Sequence, residues 1–187
     1  SYWNYFVILR TTLLRYTQAV GWENGENQYV PGGAAVTDRW NDYYFFLSQY
    51  RFLQGVFSEL TEEEQEQRRI YMLAATILFY DQTQKVIDLH GDIPWSEAGM
   101  IGANGGDYIA SLPKYDKAID IYTKMLDDLK GFADELNTIV VPSFVVTPFK
   151  TQDLINHGNI DLWKRYCNSL RIRLLTRVSG VASLQGR

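Results

Sequence analysis

Apolar residues recur at helical spacing along most of the chain and are interrupted by polar, glycine-rich stretches. Residues 2–20 contain no Gly or Pro, and Tyr5, Ile8, Leu9 and Leu13 lie three and four apart, which predicts a first helix ended by Gly21. Residues 21–36 (GWENGENQYVPGGAAV) hold four glycines and one proline among Asn, Glu and Gln, and read as a long loop of the kind that often carries function. Thr37 is placed to cap a second helix over residues 38–60, with Asp38 and Asp42 near the positive end of its dipole. Aromatic and aliphatic residues from Tyr43 to Phe57 surround that helix, which predicts burial on all sides.

Thr61 followed by Glu64 has capping-box spacing, so a third helix is expected from there to Leu89, with Ile70, Leu73, Ala74, Ile77 and Leu78 on one face. Gly91 is its expected left-handed stop. After a second glycine-rich loop, Ala118, Ile121, Tyr122, Met125, Leu129, Phe132, Ala133 and Leu136 mark a fourth, strongly amphipathic helix with Asp116 as its expected cap. The run Ile139 to Val146, with Pro142 inside it and Pro148 after it, predicts an extended connection or edge strand. A fifth helix is expected over residues 162–179, with Trp163, Tyr166, Leu170, Leu174 and Val178 on one stripe. The fold class is all-α: one helical region over residues 1–187, built as stacked hairpins of tetratricopeptide-like type with long loops, although no clean 34-residue repeat is present.

Composition narrows the class. The 187 residues include 5 Trp, 13 Tyr and 9 Phe, and 46% are apolar, which suits a packed chain rather than a disordered one. A balance of 18 basic against 22 acidic residues, a formal charge of -4, argues against a nucleic-acid binder, which would show a basic stripe. Cys167 is the single cysteine, so no internal disulfide or multi-cysteine zinc site forms; apolar neighbours make it a buried, inert thiol. No apolar run is long enough to span a bilayer as a helix.

Catalytic constellations are missing: there is no GxSxG elbow, no phosphate loop and no HExxH, and His90 and His157 are far apart in the chain. His90 reads as a helix-end residue and His157 as a turn residue. Glu62, Glu63 and Glu64 read as a solvated first helical turn, and the adjacent Asp127 and Asp128 diverge on a helix and do not form a dyad. Residues 102–107 offer oxygen ligands but lack the alternating acids of a calcium loop. The expectation is therefore no enzyme, no catalytic residue, no metal and no cofactor. One loop stands apart. Trp22 and Tyr29 supply flat aromatic faces, and Asn24, Asn27 and Gln28 supply amides beside them, which is the chemistry that recognises the C–H faces and paired hydroxyls of a pyranose. The competing reading has Trp22 packed on the helices and the amides in turns.

Leu89 to Ala98 (LHGDIPWSEA) resembles the GD-(V/I)-P-(Y/W)-S-E-A segment of the SusD/RagB-like family of starch-utilisation outer-membrane lipoproteins. Pro113-Lys114-Tyr115-Asp116 with Ile121-Tyr122 resembles that family's next helix start. Asp153-Leu154-Ile155, Gly158, Asp161, Trp163-Lys164, Asn168 to Arg171 and Arg173 resemble its D…G-D…W…N-S-L-R…R helix. The resemblance covers about residues 39–179 and implies that the chain is an internal fragment of a longer protein, with the family's lipid-bearing cysteine outside it. It implies a tetratricopeptide-like scaffold on the extracellular face of the outer membrane, partnered with a TonB-dependent, SusC-like barrel and binding an oligosaccharide or a peptide. In that frame Trp22, Asn24, Asn27 and Tyr29 are the candidate ligand-binding residues. Trp163, Tyr166 and Leu170 are packing residues, Trp95 packs beside Pro94, and Asn168 or Arg171 satisfies nearby backbone groups. The alternative role is a structural or peptide-binding subunit that covers the barrel without a glycan site.

Overall fold

A computed structural model of the chain describes residues 33–185 together with Tyr2, Tyr5, Arg10, Leu14, Thr17 and Ala19. Residues 2–20, read as the first helix, are covered only at those six positions, and loop residues 21–32 lie outside the described residues. The chain divides into two compact units, Ser1–Phe46 and Leu47–Arg187. In the first unit the rings of Trp40 and Tyr44 lie 4.8 Å apart, one helical turn from each other.

Helix α1 (Gly33–Ser58) begins before Thr37, which sits inside it and does not cap it. The expected burial on all sides is also corrected. Leu47 and Tyr50 are buried, but Phe52 is 72% exposed and Val56 45%. In the second unit only one side of α1 packs, and aromatic content alone carries no direction.

The capping box at Thr61 forms: the Glu64 amide donates to Thr61 Oγ1 at 3.3 Å, and the Thr61 amide donates to Glu64 Oε2 at 3.0 Å. The expected single helix from this cap is instead two, α2 (Glu62–Gln67) and α3 (Arg69–His90). The break falls at Arg68, whose φ of -104° and ψ of 10° leave the helical region; its guanidinium turns toward Glu64 and lies 5.8 Å from the Phe144 ring. Helix α3 is the helix buried nearly all round, and it ends as expected at Gly91, with φ of 73°.

Strands β1 (Ile93–Pro94) and β2 (Tyr115–Asp116) form a two-residue antiparallel ladder that closes the long loop at its base. Helix α4 (Ala118–Thr138) buries Ile121, Tyr122, Met125, Leu129 and Leu136, the stripe read from the sequence. The run expected to be extended is corrected: Ser143–Gln152 is helix α5, entered from Pro142 and tolerating Pro148. Proline at the entry has no amide to waste, and Pro148 lacks the amide that would bond the carbonyl four residues before it. Val145 and Phe149 bury, with the Phe149 ring edge-on to Tyr71 at 5.1 Å. Helix α6 (Ile160–Arg177) starts two residues before the expected point, because Asn159 caps it by accepting from the Leu162 amide at 3.1 Å.

Helices α3 and α4 form an antiparallel hairpin. Arg69 Nε donates to Glu135 at 2.7 Å, Tyr80 donates to Asp128, and Tyr122 donates to Asp88, so positions rise along one helix as they fall along the other. Helix α6 packs on α4, where Cys167 Sγ donates to the Leu129 carbonyl at 3.4 Å, and on α3 through Arg173 and Tyr166. The core thus lies among three helices, with Leu73, Ile77, Met125, Leu129 and Leu174 each fully inaccessible.

Candidate functional site

Carboxylates staple the loop between α3 and α4 at both ends of the small ladder. Asp92 accepts from the Ala118 amide at 2.9 Å and from Lys117 Nζ at 2.7 Å, so it caps α4 from outside the helix. Asp116, expected in that role, instead accepts from the amides of Trp95 at 3.0 Å and Ser96 at 2.8 Å and from Ser96 Oγ at 2.8 Å. The β2 backbone turns Asp116 across the ladder, while Lys117 occupies the cap position without a side-chain bond. The Lys117 ammonium, then the Ala118 amide, hold the Asp92 carboxyl below the usual carboxylate range. Trp95 is buried as expected; it lies parallel to Phe79 at 6.1 Å, and Phe79 stacks on Tyr50 at 4.2 Å.

From α1, Arg51 clasps the same loop. Its Nη2 donates to the Trp95 carbonyl at 2.7 Å and the Ser96 carbonyl at 3.2 Å, and its Nε donates to the Ala98 carbonyl at 3.1 Å. Gly99 follows at φ of 77°, where an added Cβ would stand 2.5 Å from Leu47 Cδ2. Only glycine lets the chain run this close to α1. The next turns, residues 100–111, are held by their own polar groups: Asn104 donates to the Ala110 carbonyl at 3.1 Å, and Asp107 accepts from the Ala110 amide at 3.1 Å.

Between α1 and this loop lies an open groove of about 560 Å³, lined among the described residues by Gln49, Phe52, Val56 and Glu59 on one wall and Ile101 and Ala103 on the other. Gly55 and Gly102 also line it, and neither has a neighbouring atom within 4 Å of where a Cβ would stand, so bare backbone borders the opening. Its size falls in the range of small-molecule clefts.

The last motif organises a second buried centre. Asp153 Oδ1 accepts from the amides of Ile155 and Asn156, both at 3.0 Å, and Oδ2 accepts from the Gly158 amide at 2.9 Å and from Trp163 Nε1 at 2.6 Å. Burial raises the Asp153 carboxyl, but those amides and the indole outweigh it and hold the group below its ordinary range. Asp81, 6% exposed, collects Arg173, Lys85 Nζ at 2.8 Å and Tyr166 OH at 3.0 Å. Arg171 Nε is buried without a partner, and Arg173 carries a polar contact to Asp81 of α3.

The candidate ligand residues Trp22, Asn24, Asn27 and Tyr29 lie outside the described residues, as does Gln28. Among the described residues, no group of three or more His, Cys, Asp or Glu side chains is placed to hold a metal ion, and Asn104 and Asp107 are engaged within their own loop. His157 stands in the turn expected of it, at φ of 51°. Cys167 is fully buried, and burial pushes its thiol up to about 11. Among the described residues, no helix is long and apolar enough to cross a membrane. The apolar run from Tyr43 to Phe57 reads as core, so the sequence does not mark Phe52 and Val56 as groove residues; Gly55, the glycine inside that helix, is the signal it carries.

Three packed helices with carboxylate-stapled loops and an open groove define an all-α scaffold. The chain matches the SusD-like family model, described as starch-binding and associating with the outer membrane, over residues 9–186, and it belongs to that family. Members of this family are binding proteins. No curated protein and no solved structure matches the chain.

Proposed function

We propose that this chain is a surface-exposed glycan-binding subunit of a TonB-dependent outer-membrane importer, capturing an oligosaccharide on the extracellular face and delivering it to a SusC-like barrel. The observation that carries this reading is the family match along nearly the whole chain, to a family described as starch-binding and associating with the outer membrane. In this reading the loop with Trp22, Asn24, Asn27 and Tyr29 stacks and hydrogen-bonds sugar rings. A glycan array probed with wild type, Trp22→Ala and Tyr29→Ala tests it: lost or weakened signals support the loop assignment, and unchanged signals remove it.

A second reading, a structural or peptide-binding subunit covering the barrel, is favoured by one feature. Tyr108, Ile109 and Leu112 stand exposed on a loop braced from within, which suits contact with protein. Under this reading a barrel co-purifies and no glycan binds. Recovery of neither ligand nor barrel would sink both readings.

A further inference from the structure

We propose that Asn104 is a site of spontaneous covalent modification, in which the Gly105 backbone nitrogen converts the Asn104 side-chain amide to an acid and the loop at residues 100–111 loosens. The proposal holds whichever ligand the chain binds.

The sequence supplies the reactive pair. Attack on an asparagine side chain by the next residue's nitrogen is slowed by that residue's own side chain, and Gly105 has none. Among the described residues Asn104 is the one asparagine followed by glycine; Asn156 precedes His157, Asn159 precedes Ile160 and Asn168 precedes Ser169. The fold leaves the pair open. Every residue from 101 to 110 is exposed, and no atom lies within 4 Å of where a Gly105 Cβ would stand, so water and base reach the amide. Asn104 Nδ2 donates to the Ala110 carbonyl and to Ser111 Oγ, both at 3.1 Å, and the Gly105 amide donates to the Gly102 carbonyl at 3.2 Å. These bonds restrain the attack, but all of them close within residues 102–111. The loop therefore opens locally without unfolding the helices beneath it.

The chemistry needs water alone. The Gly105 nitrogen loses its proton and bonds to Asn104 Cγ, the Cγ–Nδ2 bond breaks, and the side-chain nitrogen leaves as ammonia from a cyclic succinimide. Water then opens the ring at Cγ to give aspartate, or at the main-chain carbonyl to give isoaspartate. Either product replaces a donor with a group that only accepts. It faces the Ala110 carbonyl and Ser111 Oγ, in a loop whose Asp107 carboxylate already holds the Ala110 amide. Isoaspartate also lengthens the main chain by a methylene just before Gly105 and Gly106, at φ of 64° and 87°. Gly102 and Ala103 line the groove, so its loop wall shifts with the modification.

Peptide mapping of the intact folded protein, before and after incubation at mildly alkaline pH, tests the proposal. Trypsin releases residues 86–114 as one peptide in which Asn104 is the sole carboxamide side chain, so a mass change there reports on this residue alone. The expected result is a gain equal to the amide-to-acid difference, with the product resolved into two isomers. It should accumulate faster than in the peptides holding Asn137, Asn156 and Asn168, and Asn104→Gln should abolish it. No conversion of residues 86–114 overturns the proposal, whether or not the Asn24-Gly25 peptide converts in the same sample. In Asn104→Asp, hydrogen exchange should be faster than in wild type over residues 100–111 and unchanged in α4 and α6; unchanged exchange in the loop overturns the loosening.

Discussion

Trp163 Nε1 donates a 2.6 Å hydrogen bond to Asp153 Oδ2, so the first turn of α6 and the turn after α5 are joined by one buried carboxylate. The same carboxylate gathers three backbone amides. A sequence motif of aspartate, glycine and tryptophan is therefore a single hydrogen-bonded centre.

Trp163→Phe keeps the ring volume approximately but removes one donor, and should cost about 1–2 kcal/mol in denaturant unfolding. Asp153→Asn turns an acceptor into a donor among amides and should cost about 2–4 kcal/mol. The folded Asp153 carboxyl lies below its ordinary value of 3.8, so its contribution is present above that pH and disappears as pH falls through the lower folded value. Wild type should lose stability on acidification below about pH 4, and Asp153→Asn should show a flatter profile there.

Gly158→Ala tests the same turn sterically. Gly158 has φ of 72°, and an added Cβ would stand 2.7 Å from the Lys150 Cα, which cannot swing away as a side chain would. A loss of about 2–4 kcal/mol is expected, and a melting curve like that of wild type would show that the turn is not held as described.

Asp81 should be more costly to remove than any one of its partners. Asp81→Ala leaves Arg173, Lys85 and Tyr166 without their shared acceptor and should cost about 2–4 kcal/mol. Lys85→Ala, at a half-exposed ammonium, should cost below about 1 kcal/mol. A double-mutant cycle of Asp81 with Arg173 should show a coupling of at least about 1 kcal/mol.

Cys167 should be silent in the folded protein. With no exposed surface and a thiol pushed up to about 11, it should not react with a disulfide reagent at neutral pH, and one equivalent should react after denaturation. Rapid labelling without denaturant would contradict the packing of α6 on α4.

Arg51→Ala tests the link between scaffold and groove. It removes the donors to the carbonyls of Trp95, Ser96 and Ala98, which water can partly replace, so the stability cost should be about 1–2 kcal/mol. Hydrogen exchange should become faster in residues 99–106 and remain unchanged in α4 and α6.

Much of this architecture was legible in local pattern. The capping box at Thr61, the stop at Gly91, the α4 stripe and the buried face of α6 follow from spacing, because neighbours three and four residues apart share a helix face whatever the rest of the chain does. The family was legible too, because its motifs stand in order along the chain. Tertiary structure decided the rest. Pro142 to Pro148 reads as extended from composition, yet a helix forms where Val145 and Phe149 meet α3. Asp116 reads as a local cap, yet it serves the opposite strand while Asp92 caps α4 from a distance. Phe52 reads as core, yet it stands in a groove. Periodicity records which residues share a face, but whether that face meets another element, a loop or water depends on chain segments tens of residues away.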